Sequence, residues 1–138
     1  MRQRNTVGKP SKRAKRAPSL ASLKKKAWAV LSRHVRYSAA SDSGMITCYT
    51  CGFTDDPKYL QAGHGIPGRT GSVLFDLDII KPQCPRCNVF MRGQLHIFAA
   101  KLIKERGLEW WEQKIIASRQ VRKWSRDELQ ALIEKYRT

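Results

Sequence analysis

At 138 residues, with 27 Lys and Arg against 11 Asp and Glu and a formal charge of +16, the chain is sized for one domain and charged for a polyanionic partner. No apolar run reaches the length of a membrane span, and the start lacks the apolar segment of a signal peptide. Both features argue against a membrane protein and for a cytoplasmic one, where cysteines bind metal in preference to pairing as disulfides.

The charge is concentrated at one end. No acidic residue precedes Asp42, whereas twelve of the 27 basic residues do. Residues 1–18 mix Lys, Arg, Gly, Pro and Ser and read as a disordered basic arm, with Lys12, Arg13, Lys15 and Arg16 as candidates for contacts to a DNA backbone. A solvated tail that only aids solubility is the alternative. From Ser19 the apolar spacing of Leu20, Leu23, Ala27, Val30, Leu31 and Val35 predicts a helix to about Tyr37. Lys24, Lys25 and Lys26 fall on its wetter side and are further candidates for backbone contacts. Ser38 to Gly44 breaks the pattern.

Ile46 to Gly52 reads as a strand entering a metal knuckle, with Gly52 allowing the tight turn after Cys51. Tyr59 to His64 suits a short strand and Gly65 to Gly71 a loop. Val73-Leu74-Phe75 and Ile79-Ile80 suggest the returning strand that delivers Cys84. Pro85 suits the opening of a helix bearing Cys87, Asn88 and Met91, interrupted at Gly93. Helices are expected over 94–106, before Gly107, and from Leu108 to about Arg119. A last helix should begin at Ser125, which forms a capping box with Glu128. Trp110, Trp111, Trp124, Leu129, Leu132 and Ile133 read as packing residues of this tail. The expected class is α+β, with the arm at 1–18 and one domain at 19–138. That domain divides into an N-terminal helix (19–37), a cysteine-bearing core (46–93) and a helical tail (94–138).

The strongest chemical signal is the pair of Cys-x-x-Cys units, Cys48/Cys51 and Cys84/Cys87, separated by 32 residues in a chain with no other cysteine. Four thiolates at this spacing form the closed tetrahedral shell of a structural Zn²⁺, which holds the fold and does no chemistry. A redox or disulfide role is the alternative. Inside the insert, His64 is flanked by Gly63 and Gly65, small neighbours that would let a phosphate approach. A neutral imidazole there can take a proton from water, and Asn88, beside Cys87, offers a carbonyl oxygen suited to Mg²⁺ or Mn²⁺. The plain alternatives are a turn or core role for His64 and a helix-start or turn role for Asn88.

Cys48-x-x-Cys51-Gly52, then Gln61-Ala62-Gly63-His64, then Pro82-Gln83-Cys84-x-x-Cys87-Asn88, then Arg92-Gly93, resembles the phage NinG (Rap) recombination nucleases. The likeness extends back through Ser22 to Lys26 and Ser32 to Arg36 and forward to Trp111-Glu112, covering roughly residues 19–115. It implies a zinc-stapled ββα (His-Me finger, HNH-type) core with flanking helices, in which His64 matches the general base and Asn88 the catalytic-metal ligand. It further implies a DNA endonuclease that cuts branched intermediates such as D-loops or Holliday-type junctions. Arg69, Lys81 and Arg92 are then the nearest candidates to grip phosphate. The partners so implied are branched DNA and recombination proteins, and a homodimer would suit cutting two strands. Two positions depart from the pattern. Gly63 stands where many HNH nucleases carry an Asp or His ligand, and Ile79 aligns with their middle asparagine, with Asp76 and Asp78 nearby. A zinc module that binds DNA without cutting it, an HNH nicking enzyme indifferent to junctions, and an RNA binder are the competing readings.

Overall fold

In the computed structural model, residues 16–67 and 71–137 are described. Ser19 starts the first helix, α1 (Leu20–Ser38), its hydroxyl accepting from the Ser22 N–H at 3.1 Å. Leu23, Ala27, Leu31 and Val35 recur every fourth residue and form its buried stripe. Arg16, Lys25 and Lys26 are exposed, and Lys24 is half-buried. Lys12, Arg13, Lys15 and Arg69 lie outside the described residues, as does most of the basic arm.

Two small antiparallel pairs follow. Strands β1 (Ile46–Thr47) and β2 (Thr54–Asp55) flank the first cysteine turn, and β3 (Gln61–His64) pairs with β4 (Ile80–Gln83). The β3–β4 register sets Gln61 opposite Gln83, Gly63 opposite Lys81 and His64 opposite Ile80. The Gly65 N–H donates to Ile79 O at 2.8 Å, which in this register turns the amide position of Pro82 away from β3. Its carbonyl instead accepts from the Tyr49 N–H at 2.8 Å, tying the first cysteine turn to the hairpin.

The strand expected at Val73–Phe75 is absent. Those residues form successive turns, with Leu74 N–H bonded to Gly71 O, Asp76 N–H to Val73 O and Ile79 N–H to Asp76 O, and β4 begins only at Ile80. All three apolar side chains are buried, and an unbroken buried run does not distinguish a strand from a core-plugging turn. The helix expected after Pro85 is a single wide turn, Arg86–Phe90, with Met91 N–H reaching back five residues to Arg86 O at 2.8 Å. Arg92, Gly93 and Gln94, all at positive φ, then reverse the chain.

Helices α2 (Leu95–Arg106) and α3 (Leu108–Ser118) are joined through Gly107 alone, whose φ of +94° suits glycine. Helix α4 (Arg126–Tyr136) carries the complete capping box of Ser125 and Glu128 and packs against α1 through Leu129 and Ile133. The main core gathers the α1 stripe, Phe98 and Leu102 of α2, the Val73–Phe75 plug and Ile79–Ile80. A second, smaller core holds Ile46, Leu60 and three of the cysteines. No helix among the described residues is long and apolar enough to cross a membrane.

Candidate metal centre and adjoining cleft

The turn after β1 and the wide turn after β4 each present two thiols. The Sγ atoms of Cys48, Cys51, Cys84 and Cys87 lie within 4.8 Å of one another, and Cys51 and Cys84 approach to 3.6 Å. That spacing fits four sulfurs at about 2.3 Å from one tetrahedral ion. Although burial pushes the Cys48 thiol up, hydrogen bonds from the Thr50 hydroxyl and nearby amides hold it down at about 6; burial pushes Cys87 up. A bound dication would deprotonate the thiols as a set. The cluster is therefore built to hold a metal ion, with the closed shell of structural zinc.

Beside it lies a cleft of about 760 Å³ lined by residues of α1, β3 and the wide turn, among them Trp28, Arg36, Gln61, His64, Asn88 and Arg92. His64 and Asn88 both line it. The His64 ring stacks on Trp28 of α1, with centroids 4.7 Å apart and planes 20° apart. Its Nε2 lies 2.9 Å from Leu74 O. A carbonyl only accepts, so Nε2 carries the proton and a neutral His64 holds its lone pair on Nδ1. Asn88 Nδ2 donates to Gln61 Oε1 at 2.8 Å, fixing the amide plane.

The structure gives physical reasons for both departures from the HNH pattern. Ile79 is fully buried, and its carbonyl holds the Gly65 N–H, so the loop after His64 is set by backbone bonds and by Leu74 O. Asp76 and Asp78 lie away from the cleft and accept from Lys114 Nζ of α3 at 2.6 and 2.9 Å, which secures that loop. The Lys114 hydrogen bond comes first in holding the Asp78 carboxyl below its usual value. At Gly63, an added β-carbon would sit 1.8 Å from Gln83 Oε1. The place of the usual side chain is therefore taken by Gln83, a fully buried amide that donates to Gly93 O at 2.9 Å and Thr50 Oγ1 at 3.1 Å.

Those contacts correct the expectation that Gly63 and Gly65 admit phosphate. A β-carbon on Gly65 would meet the Phe98 ring at 2.8 Å, so both glycines make room for protein. Lys81 is also not brought to the cleft. It faces Tyr49, its ammonium 5.7 Å from that ring, among residues that include Asp78 and Glu105. Arg92 does line the cleft, joined by Arg36, whose guanidinium donates to Pro57 O at 3.0 Å. Trp28, Arg36, Gln61 and Gln83 were not assigned site roles from sequence. For Trp28 and Arg36 a signal existed, since with Ser32 they recur every fourth residue along α1, and Lys24 continues that line.

Amide oxygens are donors that a hard divalent cation takes. Asn88 and Gln61 bring amides to the cleft, and the fully buried Gln83 Oε1, outside the cleft lining, has no hydrogen-bond partner. Fold and site together define a small α+β protein with a four-cysteine cluster that can hold a metal ion and a histidine–asparagine cleft beside it. The profile of the family described as Bacteriophage Lambda NinG protein matches residues 2–138, and the chain belongs to that family. Searches of curated proteins and of solved structures gave no significant match.

Proposed function

We propose that the protein is a metal-dependent DNA endonuclease of the His-Me finger (HNH) type, acting on branched recombination intermediates such as D-loops or Holliday-type junctions. The observation that carries this reading is the Nε2–Leu74 O bond, which orients His64 with its lone pair on Nδ1 in the cleft that Asn88 also lines. On this reading the β3–β4 hairpin and the wide turn bearing Asn88 would serve as the two strands and helix of such a centre. Family membership supports the association with phage recombination.

In this mechanism His64 Nδ1 removes a proton from a water as its oxygen attacks phosphorus. The new O–P bond forms as the bond to the 3′-oxygen breaks, and the leaving oxygen takes up a proton from solvent. Stacking on Trp28 and the bond to Leu74 O keep the imidazole in one orientation throughout. A Mg²⁺ or Mn²⁺ bound at Asn88 would polarise the phosphate and stabilise charge on the leaving oxygen. Arg36 and Arg92, which line the cleft, would pair with non-bridging oxygens, while the basic arm and Lys24–Lys26 would hold the backbone without reading sequence. Cutting two strands of a junction would suit a homodimer.

The test is incubation with duplex, forked, D-loop and four-way DNA, with and without Mg²⁺. His64→Ala should retain zinc and DNA binding and lose cleavage by about 100-fold or more. Undiminished cutting by that variant would remove His64 from the chemistry. If the wild type binds these substrates and cuts none with any divalent ion, the protein is a zinc-containing DNA-binding module instead.

A further inference from the structure

Among the described residues, Gln83 is a fully buried amide whose chemistry the mechanism above leaves unused. Its nitrogen is identified without ambiguity, because Nε2 lies 2.9 Å from the Gly93 carbonyl, which can only accept. The oxygen end is therefore Oε1. It is buried and has no donor. A buried carbonyl left without a partner costs about 1–3 kcal/mol, and an ion or water is the usual reason that such an atom is retained.

The direction in which Oε1 points is informative. A β-carbon on Gly63 would lie 1.8 Å from Gln83 Oε1 and 3.0 Å from Asn88 Oδ1, so the two amide oxygens converge on one side of Gly63. Asn88 is held in that orientation by its Nδ2 bond to Gln61. Gln83 is held by Gly93 and Thr50, and Thr50 lies between the first two zinc-binding cysteines.

We infer that Gln83 Oε1 is a second protein ligand of the divalent cation on Asn88, supplying from β4 the oxygen that Gly63 cannot supply from β3. This rests on the reading of Asn88 as the cation's ligand. Two neutral amides leave the charge of the ion uncompensated, so it binds weakly to the protein alone and more tightly once DNA phosphate joins the shell. The linkage to Thr50 also makes the zinc cluster a support for the catalytic ion as well as for the fold.

The experiment is a Mn²⁺ titration of the zinc-loaded, full-length protein followed by electron paramagnetic resonance, without DNA, on wild type, Asn88→Ala, Gln83→Leu and Gln83→Glu. Zinc content and melting temperature are recorded for each. Asn88→Ala and Gln83→Leu should each weaken Mn²⁺ binding by about tenfold or more. Gln83→Glu should tighten it, and it decides the matter if Gln83→Leu loses zinc. If Asn88→Ala weakens binding but folded Gln83 variants bind within about twofold of wild type, Oε1 only rests against the Gly63 backbone and the inference fails alone. If Asn88→Ala binds as wild type does, the reading of Asn88 fails and this inference with it.

Discussion

Cys48, Cys51, Cys84 and Cys87 are brought together by two short turns, whereas His64 and Asn88 are held by partners from three separate segments. The metal cluster needs only two local spacings and one strand pairing, since each Cys-x-x-Cys turn presents both of its thiols by itself. The cleft needs Trp28 from α1, Leu74 from a turn, Gln61 from β3 and the wide turn after β4, each in register with the others. The two regions meet at Gln83, which ends β4 just before the second cysteine pair while its side chain lies over Gly63. A short-range design tolerates change outside its ligands, and a long-range one fails when any supporting segment shifts.

The largest effect should come from breaking the cluster. Cys87→Ser, or exhaustive chelation of the wild type, should cost on the order of 5 kcal/mol or more, because metal binding free energy is also folding free energy here. Thermal melts with and without added Zn²⁺ measure it, and acidification should release the metal as protons compete for the thiolates. A chelated protein that melts like the zinc-loaded one would show that the cluster is no staple.

Gly63→Ala tests where cluster and cleft meet. The new β-carbon must displace the buried Gln83 amide from Gly93 and Thr50, so the expected loss is about 2–4 kcal/mol by denaturant melts. Gly63→Asp, which restores a common HNH ligand, should be at least as destabilising and should not improve cleavage. A stable and more active Gly63→Asp protein would overturn the account of this position.

The smallest effect belongs to the tether of the loop. Lys114→Met removes the bonds to Asp76 and Asp78 and should cost about 1 kcal/mol or less, given that Asp78 is half exposed. The Asp78 carboxyl is held below its usual value, so this stabilisation is present above about pH 4 and is lost as pH falls through the folded value. The gap between variant and wild type should therefore close in acid. A gap that widens there would mean that Lys114 acts by packing alone.

Much of the chain was legible in its sequence. Four of its helices follow from apolar spacing and caps, and α1 ends within a residue of the expected position. The four-cysteine cluster follows from spacing alone. Val73–Phe75 was misread because a buried turn and a buried strand share an apolar run, and the turn after Pro85 was shorter than a proline at a helix start suggests. Lys81 was expected near phosphate from the family resemblance, and it lies outside the cleft, its ammonium beside the Tyr49 ring.

What the sequence by itself determined is whatever depends on neighbours within a few residues: helical stripes, the capping box, the two cysteine turns and the uneven charge. What only the tertiary structure decided is whatever depends on a partner far along the chain. Leu74 O sets the tautomer of His64, Trp28 sets its ring plane, and Gln83 fills the space over Gly63. Backbone carbonyls and neutral amides leave no pattern in a sequence, because their role is defined by distance and direction and not by residue type.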